Sequence, residues 1–250
     1  VDGCREWSAL WYLEPVQPPA QPDSATAPAP LVISHRGNGF GHLENTIAAF
    51  AAAAEAGVAG VELDVRLTQD SVPVILHDHR TSIFGGPART VSKTPRLDLH
   101  AGIPTLAAAL DLLLPTMPVD VEIKSINGDL QPIFALCDRP GVRISSFDWA
   151  ILAECRAALP QVPRALLVPE RFGLETILRA AERLGGEGIH LSMRQLDPLW
   201  VRVLHALGLK VRVYTPNRIP AWRRAQKAGV DAIMTDRPLA CGRWLGNEAT

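Results

Sequence analysis

The sequence predicts an α/β fold: a closed (β/α)8 barrel with an antiparallel hairpin extension after its second strand. Three observations predict it. Short β-branched runs alternate with alanine- and leucine-rich runs, the signature of a parallel sheet covered by helices. Eight such strand–helix units follow residue 31, the number that closes a barrel. A ninth strand candidate is separated from its predecessor by only "TQDS", too little chain for a parallel crossover.

The strand candidates in order are "LVISH" (31–35), "GVELDVRL" (60–67), "VPVILHD" (72–78), "PVDVEIK" (118–124), "GVRISSF" (141–147), "RALLVP" (164–169), "GIHLSM" (188–193), "KVRVYT" (210–215) and "DAIMTD" (231–236). Helical stretches such as "TIAAFAAAAEAG", "TLAAALDLLL", "DWAILAECRAAL" and "DPLWVRVLHALG" lie between them. The third candidate is the returning arm of a hairpin, pairing residues 73–77 with 61–67 and turning at Gln69 to Ser71. Removing it from the ring leaves eight strands.

Composition narrows the function classes. The 250 residues are 47% apolar and can bury one sizeable core. A net charge of −1 gives no global field toward nucleic acid or anionic lipid. No run approaches the ~18 apolar residues of a membrane span, so a soluble protein without a transmembrane segment is expected. Cys4, Cys137, Cys155 and Cys241 lack metal-type spacing and read as free thiols in a reducing, cytoplasmic compartment. Residues 1–30 differ from the rest. "EPVQPPAQPDSATAPAP" offers little to pack and reads as a flexible Pro/Ala-rich segment. "REWSALWYL" before it could dock, but lacks the apolar region and cleavage site of a signal peptide. One domain, 31–250, is expected after it.

Reactive residues of such barrels project from the C-terminal ends of strands. Here those ends carry His35 and Arg36, Glu62 and Asp64, His77 and Asp78, and Glu122 and Lys124. Each pair alone has a plain reading as a surface pair, solvated edge, turn or exposed ion pair. Together they do not, because "VELDV" and "VEIK" are apolar at alternate positions and their acids point into the barrel, where unpaired charge is costly. Three converging carboxylates call for a cation, and an all-oxygen set suits Mg²⁺ or Ca²⁺. Two histidines beside it can act as general acid and base, and Arg36 and Lys124 suit a phosphate. The combination describes phosphoester cleavage.

The motifs "HRG", "ENT", "GVELDVRLTQD", "PVILHD", "IPTL", "VEIK", "ISSF" and "GVDAIMTDRP" together resemble the glycerophosphodiester phosphodiesterase family in order and spacing, from about residue 32 to 238. The resemblance implies a distorted TIM barrel and one divalent cation, Mg²⁺ or Ca²⁺, held by Glu62, Asp64 and Glu122. It implies His35 and His77 as the acid–base pair, Arg36 and Lys124 on the phosphate, and Glu44 supporting the first histidine's loop, with Asp78 beside His77. The implied substrate is a small-molecule glycerophosphodiester, split into an alcohol and sn-glycerol 3-phosphate. The chain departs from the family in two places. Segment 79–103 is short and carries an extra His79, with no room for an insertion domain. Tyr214 in "VYTPN" stands where many relatives have Trp against the glycerol. Rival readings are a lysophospholipase D or a sphingomyelinase D-like enzyme on the same barrel, or a non-catalytic phosphate-ligand barrel.

Overall fold

Nine strands build one sheet: β1 (Leu31–His35), β2 (Gly60–Leu67), β3 (Pro73–Ile75), β4 (Val119–Ile123), β5 (Val142–Ser146), β6 (Arg164–Leu167), β7 (Gly188–Ser192), β8 (Lys210–Tyr214) and β9 (Ala232–Thr235). Their spatial order is β1-β9-β8-β7-β6-β5-β4-β2-β3, and β1 also pairs with β2, which closes a ring of eight parallel strands. All nine strand candidates are present. The computed structural model describes residues 28–85, 87–124, 126 and 128–246. The expectations for "REWSALWYL", for most of the Pro-rich stretch and for Cys4 lie outside the described residues.

β3 is the expected outlier. It runs antiparallel to β2, with Val65 opposite Ile75 and Leu67 opposite Pro73. Gln69 to Ser71 make the turn, and Ser71 adopts a left-handed φ of 59°. The regular strand stops at Ile75, two residues short of the arm expected through His77. Val74 and Ile75 then meet the chain entering the second helix, through a bridge from Val74 to Thr105 and a bond from Ile75 N–H to the Pro104 carbonyl.

Eight helices cover the ring: α1 (Ile47–Glu55), α2 (Leu106–Leu113), α3 (Gln131–Cys137), α4 (Trp149–Ala158), α5 (Leu174–Leu184), α6 (Pro198–Ala206), α7 (Ile219–Ala228) and α8 (Pro238–Leu245). Thr46, Thr105, Asp148 and Asp197 cap four of them by accepting a first-turn N–H. The period-two alternation of the strands decides what faces what. Leu63, Val65, Val121, Ile123, Ile144, Leu166, Ile189 and Val211 join one buried cluster with the helix residues Phe50, Leu110, Phe134, Leu152, Ile177 and Trp222. The intervening positions therefore point into the barrel, and many are polar. Asp120 on β4 meets Arg212 on β8, a strand on the far side of the ring, at 2.8 Å.

Segment 79–103 contains three single 3-10 turns, Ser82–Phe84, Val91–Lys93 and Arg96–Asp98. Val91, Leu99 and Ile103 pack on Val74 and Leu76 in a second, small apolar cluster. This segment thus packs against the chain that leads into His77. Among the described residues, no helix is long and apolar enough to cross a membrane. Cys137, Cys155 and Cys241 are buried free thiols.

Candidate active site

Parallel pairing of β2 with β4 sets Asp64 opposite Glu122, and Glu62 follows on the same face two residues earlier. The three buried carboxylates each present an oxygen within 4.8 Å of the others. Two cations and an amide face Asp64: Lys124 Nζ at 2.7 Å, Arg36 Nε at 3.1 Å and Asn45 Nδ2, which donates at 2.8 Å. Burial alone would raise the Asp64 pKa, but Lys124 and Arg36 hold it below the usual carboxylate range. Lys124 also pairs with Glu122.

Glu62 is different. Both of its carboxylate oxygens are buried without a hydrogen-bond partner. Burial, reinforced by the charges of Asp64 and Glu122, drives its pKa well above the normal range. Buried acceptors without donors are costly unless something cationic satisfies them. The donor set is all oxygen, so it fits a hard divalent ion such as Mg²⁺ or Ca²⁺.

Both histidines are oriented through Nδ1. His35, the last residue of β1, places Nδ1 2.7 Å from Asp236 Oδ1, while its Nε2 faces Glu62 at 3.8 Å. Asn38 and Asn217 also donate to Asp236. Burial would raise the Asp236 pKa, but these bonds and His35 bring it down to about 2. His77 places Nδ1 2.8 Å from Asp78 Oδ1, and its carbonyl accepts from the Arg66 guanidinium. Burial lowers the pKa of His77, and the nearby charges of Lys124 and Arg36 push the same way against Asp64.

The loop after β1 is shaped by backbone geometry. Arg36 has a φ of 58°, a left-handed conformation that costs a non-glycine residue on the order of 1 kcal/mol. Its carbonyl accepts from Asn45 N–H, and its Nη1 donates to Glu44 Oε1 at 2.9 Å. Gly37 follows at φ 71°, where a Cβ would lie 2.9 Å from Phe50. Glu44 accepts from Arg36 and Asn38 of this loop and makes no hydrogen bond to His35.

On the far side of the mouth, Tyr214 ends β8, and its ring meets Phe147 edge-on at 6.1 Å between centroids. Burial raises the Tyr214 pKa, and the charges of Glu122 and Glu170 raise it further. Below the mouth, the buried Asp120 and His190 and the half-buried Arg212 form one layer, with Ser145 donating to Asp120.

The structure thus brings His35, Arg36, Glu44, Glu62, Asp64, Glu122 and Lys124 into one connected group. His77 with Asp78 stands at its rim and Tyr214 on its opposite wall. Asp236, Asn38, Asn45 and Asn217 escaped the sequence reading. Asp236 carried a usable signal, being the acid directly after the last strand. The asparagines carried none, because their partners are set by loop geometry.

Residues 35–240 match the model of the Glycerophosphoryl diester phosphodiesterase family. A glycerophosphodiester phosphodiesterase of Caldanaerobacter subterraneus is 34% identical over 231 residues, spanning 83% of this chain and 94% of that protein. An Oleispira antarctica phosphodiesterase, solved with the product sn-glycerol-3-phosphate, superposes with a TM-score of 0.78 at 25% identity, covering 88% of this chain and 98% of its own. The glycerophosphodiester phosphodiesterase of Thermotoga maritima shares the fold, with a TM-score of 0.74 at 24% identity over 86% and 98% of the two chains.

Proposed function

Because the chain belongs to the glycerophosphoryl diester phosphodiesterase family, we propose that it hydrolyses a glycerophosphodiester to an alcohol and sn-glycerol 3-phosphate, with His35 and His77 exchanging protons. The observation that carries this reading is the buried Glu62–Asp64–Glu122 cluster beside a carboxylate-backed histidine. Glu62, Asp64 and Glu122 would hold one divalent cation, which when bound polarises the phosphate and stabilises charge on its oxygens. Charge balance supports the assignment. With all three carboxylates ionised, as a bound cation requires, Arg36 and Lys124 leave them one net negative charge, which would repel a phosphodiester; a divalent cation reverses that sign.

Arg36 and Lys124 bind the phosphate oxygens while remaining anchored on Asp64 and Glu122. Nδ1–H of His35 donates to Asp236, which leaves Nε2 free to accept a proton. His77, backed by Asp78 in the same way, protonates the departing alcohol. In the first step a glycerol hydroxyl attacks phosphorus and gives a cyclic phosphate. In the second, water opens the ring while the histidines exchange roles.

The test is phosphorus NMR on a panel of glycerophosphodiesters, with EDTA and then with Mg²⁺ or Ca²⁺ added. Turnover that chelation abolishes and one of the two ions restores is expected. Full turnover after exhaustive chelation would remove the cation, and none on any diester with either ion would remove the activity. A lysolipid diester is the second reading, supported by the exposed Leu43, Ile83, Phe147, Leu199 and Ile219 on loops and helix starts at the catalytic face.

A further inference from the structure

Arg66 is a cation that the chemistry above does not use. It follows Asp64 on the inward face of β2, one pleat nearer the mouth, since Val65 and Leu67 on either side pack toward the helices. Among the described residues it pairs with no carboxylate, although the charges of Asp64, Asp78 and Glu122 all act on it. Instead its Nε and Nη2 donate together to the carbonyl of His77, at 2.9 and 2.5 Å. A charge drawn partly out of water with no counter-ion is costly, which singles out the carbonyl it holds.

The two histidines are held in different ways. His35 lies within the parallel ladder of β1 and β2, and its carboxylate, Asp236, comes from a different strand end. His77 stands beyond β3, which ends at Ile75, and its side chain is 39% exposed against 16% for His35. Its carboxylate is the next residue, Asp78, so that pair orients the ring but shifts with the same stretch of chain. The hairpin's main-chain bonding ends with Leu76 N–H donating to the Asp64 carbonyl, and it resumes where the His79 carbonyl accepts from Val91 N–H. Between these points, among the described residues, the Arg66 guanidinium is what ties the main chain of His77 and Asp78 to the barrel.

We propose that Arg66 is a positioning residue for the general acid, fixing the main chain of His77 to β2 so that its imidazole reaches the departing alcohol. The inference rests on the phosphodiesterase reading and adds a residue to it. A proton donor must lie within hydrogen-bond reach of the oxygen it serves, and a displacement of about 1 Å costs on the order of a hundredfold in rate. The planar fork of a guanidinium sets two donors on one oxygen, a geometry that the point charge of a lysine does not reproduce.

The experiment measures alcohol release in the first turnover by the metal-loaded, full-length protein. Two glycerophosphodiesters are compared, one of an alkyl alcohol and one of p-nitrophenol. Nitrophenolate leaves without a proton, so only the alkyl ester needs the acid. Arg66→Met keeps most of the stem and removes the donors. It should slow the alkyl ester roughly ten- to a hundredfold and the nitrophenyl ester less than about threefold, with Mg²⁺ affinity unchanged. Arg66→Lys, a milder change to the fold, should show the same bias at smaller amplitude, and His77→Ala the same bias at larger amplitude. Equal losses on the two esters overturn the proposal, since they would place Arg66 on the phosphate that both share. A wild-type rate on the alkyl ester in either Arg66 variant overturns it as well. Failure of the wild type on both esters, by contrast, overturns the activity itself.

Discussion

His35 Nδ1 lies 2.7 Å from Asp236 Oδ1, joining the tip of the first strand to the residue that follows the last. This contact exists because the barrel closes: β1 and β9 pair with Ser34 opposite Thr235, and the next residue of each chain projects at the rim. The carboxylate fixes the imidazole tautomer and leaves Nε2 as the proton acceptor. In Asp236→Asn the amide can instead donate to Nδ1 and place the proton on Nε2. A kcat lower by roughly ten- to a hundredfold is expected, with metal affinity little changed. Calorimetric metal titration beside steady-state kinetics checks this. Equal kcat values for variant and wild type would show that Asp236 is dispensable.

The Glu62 carboxylate sets stability against function. Buried with two like charges and no donor on either oxygen, it destabilises the metal-free fold. Glu62→Gln removes one charge from the cluster, so the metal-free protein should melt higher than wild type in EDTA. The same variant should bind Mg²⁺ or Ca²⁺ at least roughly tenfold more weakly, because one of a few anionic ligands is gone. Melting curves with and without cation would therefore cross between the two proteins. A variant less stable than wild type in EDTA would show that Glu62 has a stabilising partner.

Much of this was legible in the sequence, for reasons that differ by element. The eight-strand ring followed from regular alternation. The ninth strand followed from the shortness of "TQDS", since chain length forbids a crossover. Glu62, Asp64 and Glu122 could be read because their apolar neighbours face the helices and leave them only the interior. Asn217 could not be ranked in this way, because its role depends on which strand ends meet when the ring closes; Asp236 was marked only by its place directly after the last strand. The layer of Asp120, His190 and Arg212 was equally hidden, since the three lie on different strands and only the closed barrel brings them together.

That layer predicts how stability depends on pH. Burial depresses the His190 pKa to about 3, and Arg212 adds to the effect. The unfolded chain takes up this proton near pH 6.5 and the folded chain does not. Stability is therefore fully retained above that pH and falls as pH drops from 6.5 toward 3, by at most roughly 1.4 kcal/mol per pH unit for one group. Asp120, whose pKa is lowered in the fold, adds a loss below the normal aspartate range. His190→Gln cannot titrate and should flatten the slope between about pH 4 and 6 in urea unfolding. Parallel slopes for the two proteins would place the acid sensitivity elsewhere.

The ion pair of Asp120 with Arg212 spans the barrel at 2.8 Å, two residues below Glu122 on one side and Tyr214 on the other. Removing one partner leaves a buried charge uncompensated, so Arg212→Met should cost about 3–5 kcal/mol of unfolding free energy. The double variant Asp120→Asn with Arg212→Met should recover a large part of that loss. Recovery separates a charge penalty from a simple loss of packing. Additive losses in the double variant would assign the cost to packing around the arginine stem.

The route of attack on phosphorus can be separated from the identity of the acid and base. If a glycerol hydroxyl attacks, nucleophile and phosphorus are tethered in one molecule, and that proximity supplies a large part of the rate. A diester whose glycerol lacks the neighbouring hydroxyl should then bind, competing with normal substrate, but turn over orders of magnitude more slowly. His35→Ala and His77→Ala should each lose most of kcat, since each removes one proton-transfer group, and both should keep metal affinity because neither belongs to the carboxylate cluster. A product analysis quenched early should show the cyclic phosphate in the wild type. Unimpaired cleavage of the deoxy diester would instead make water the first nucleophile. His35 would then serve as its base, and the proton accounting at His77 would stay the same.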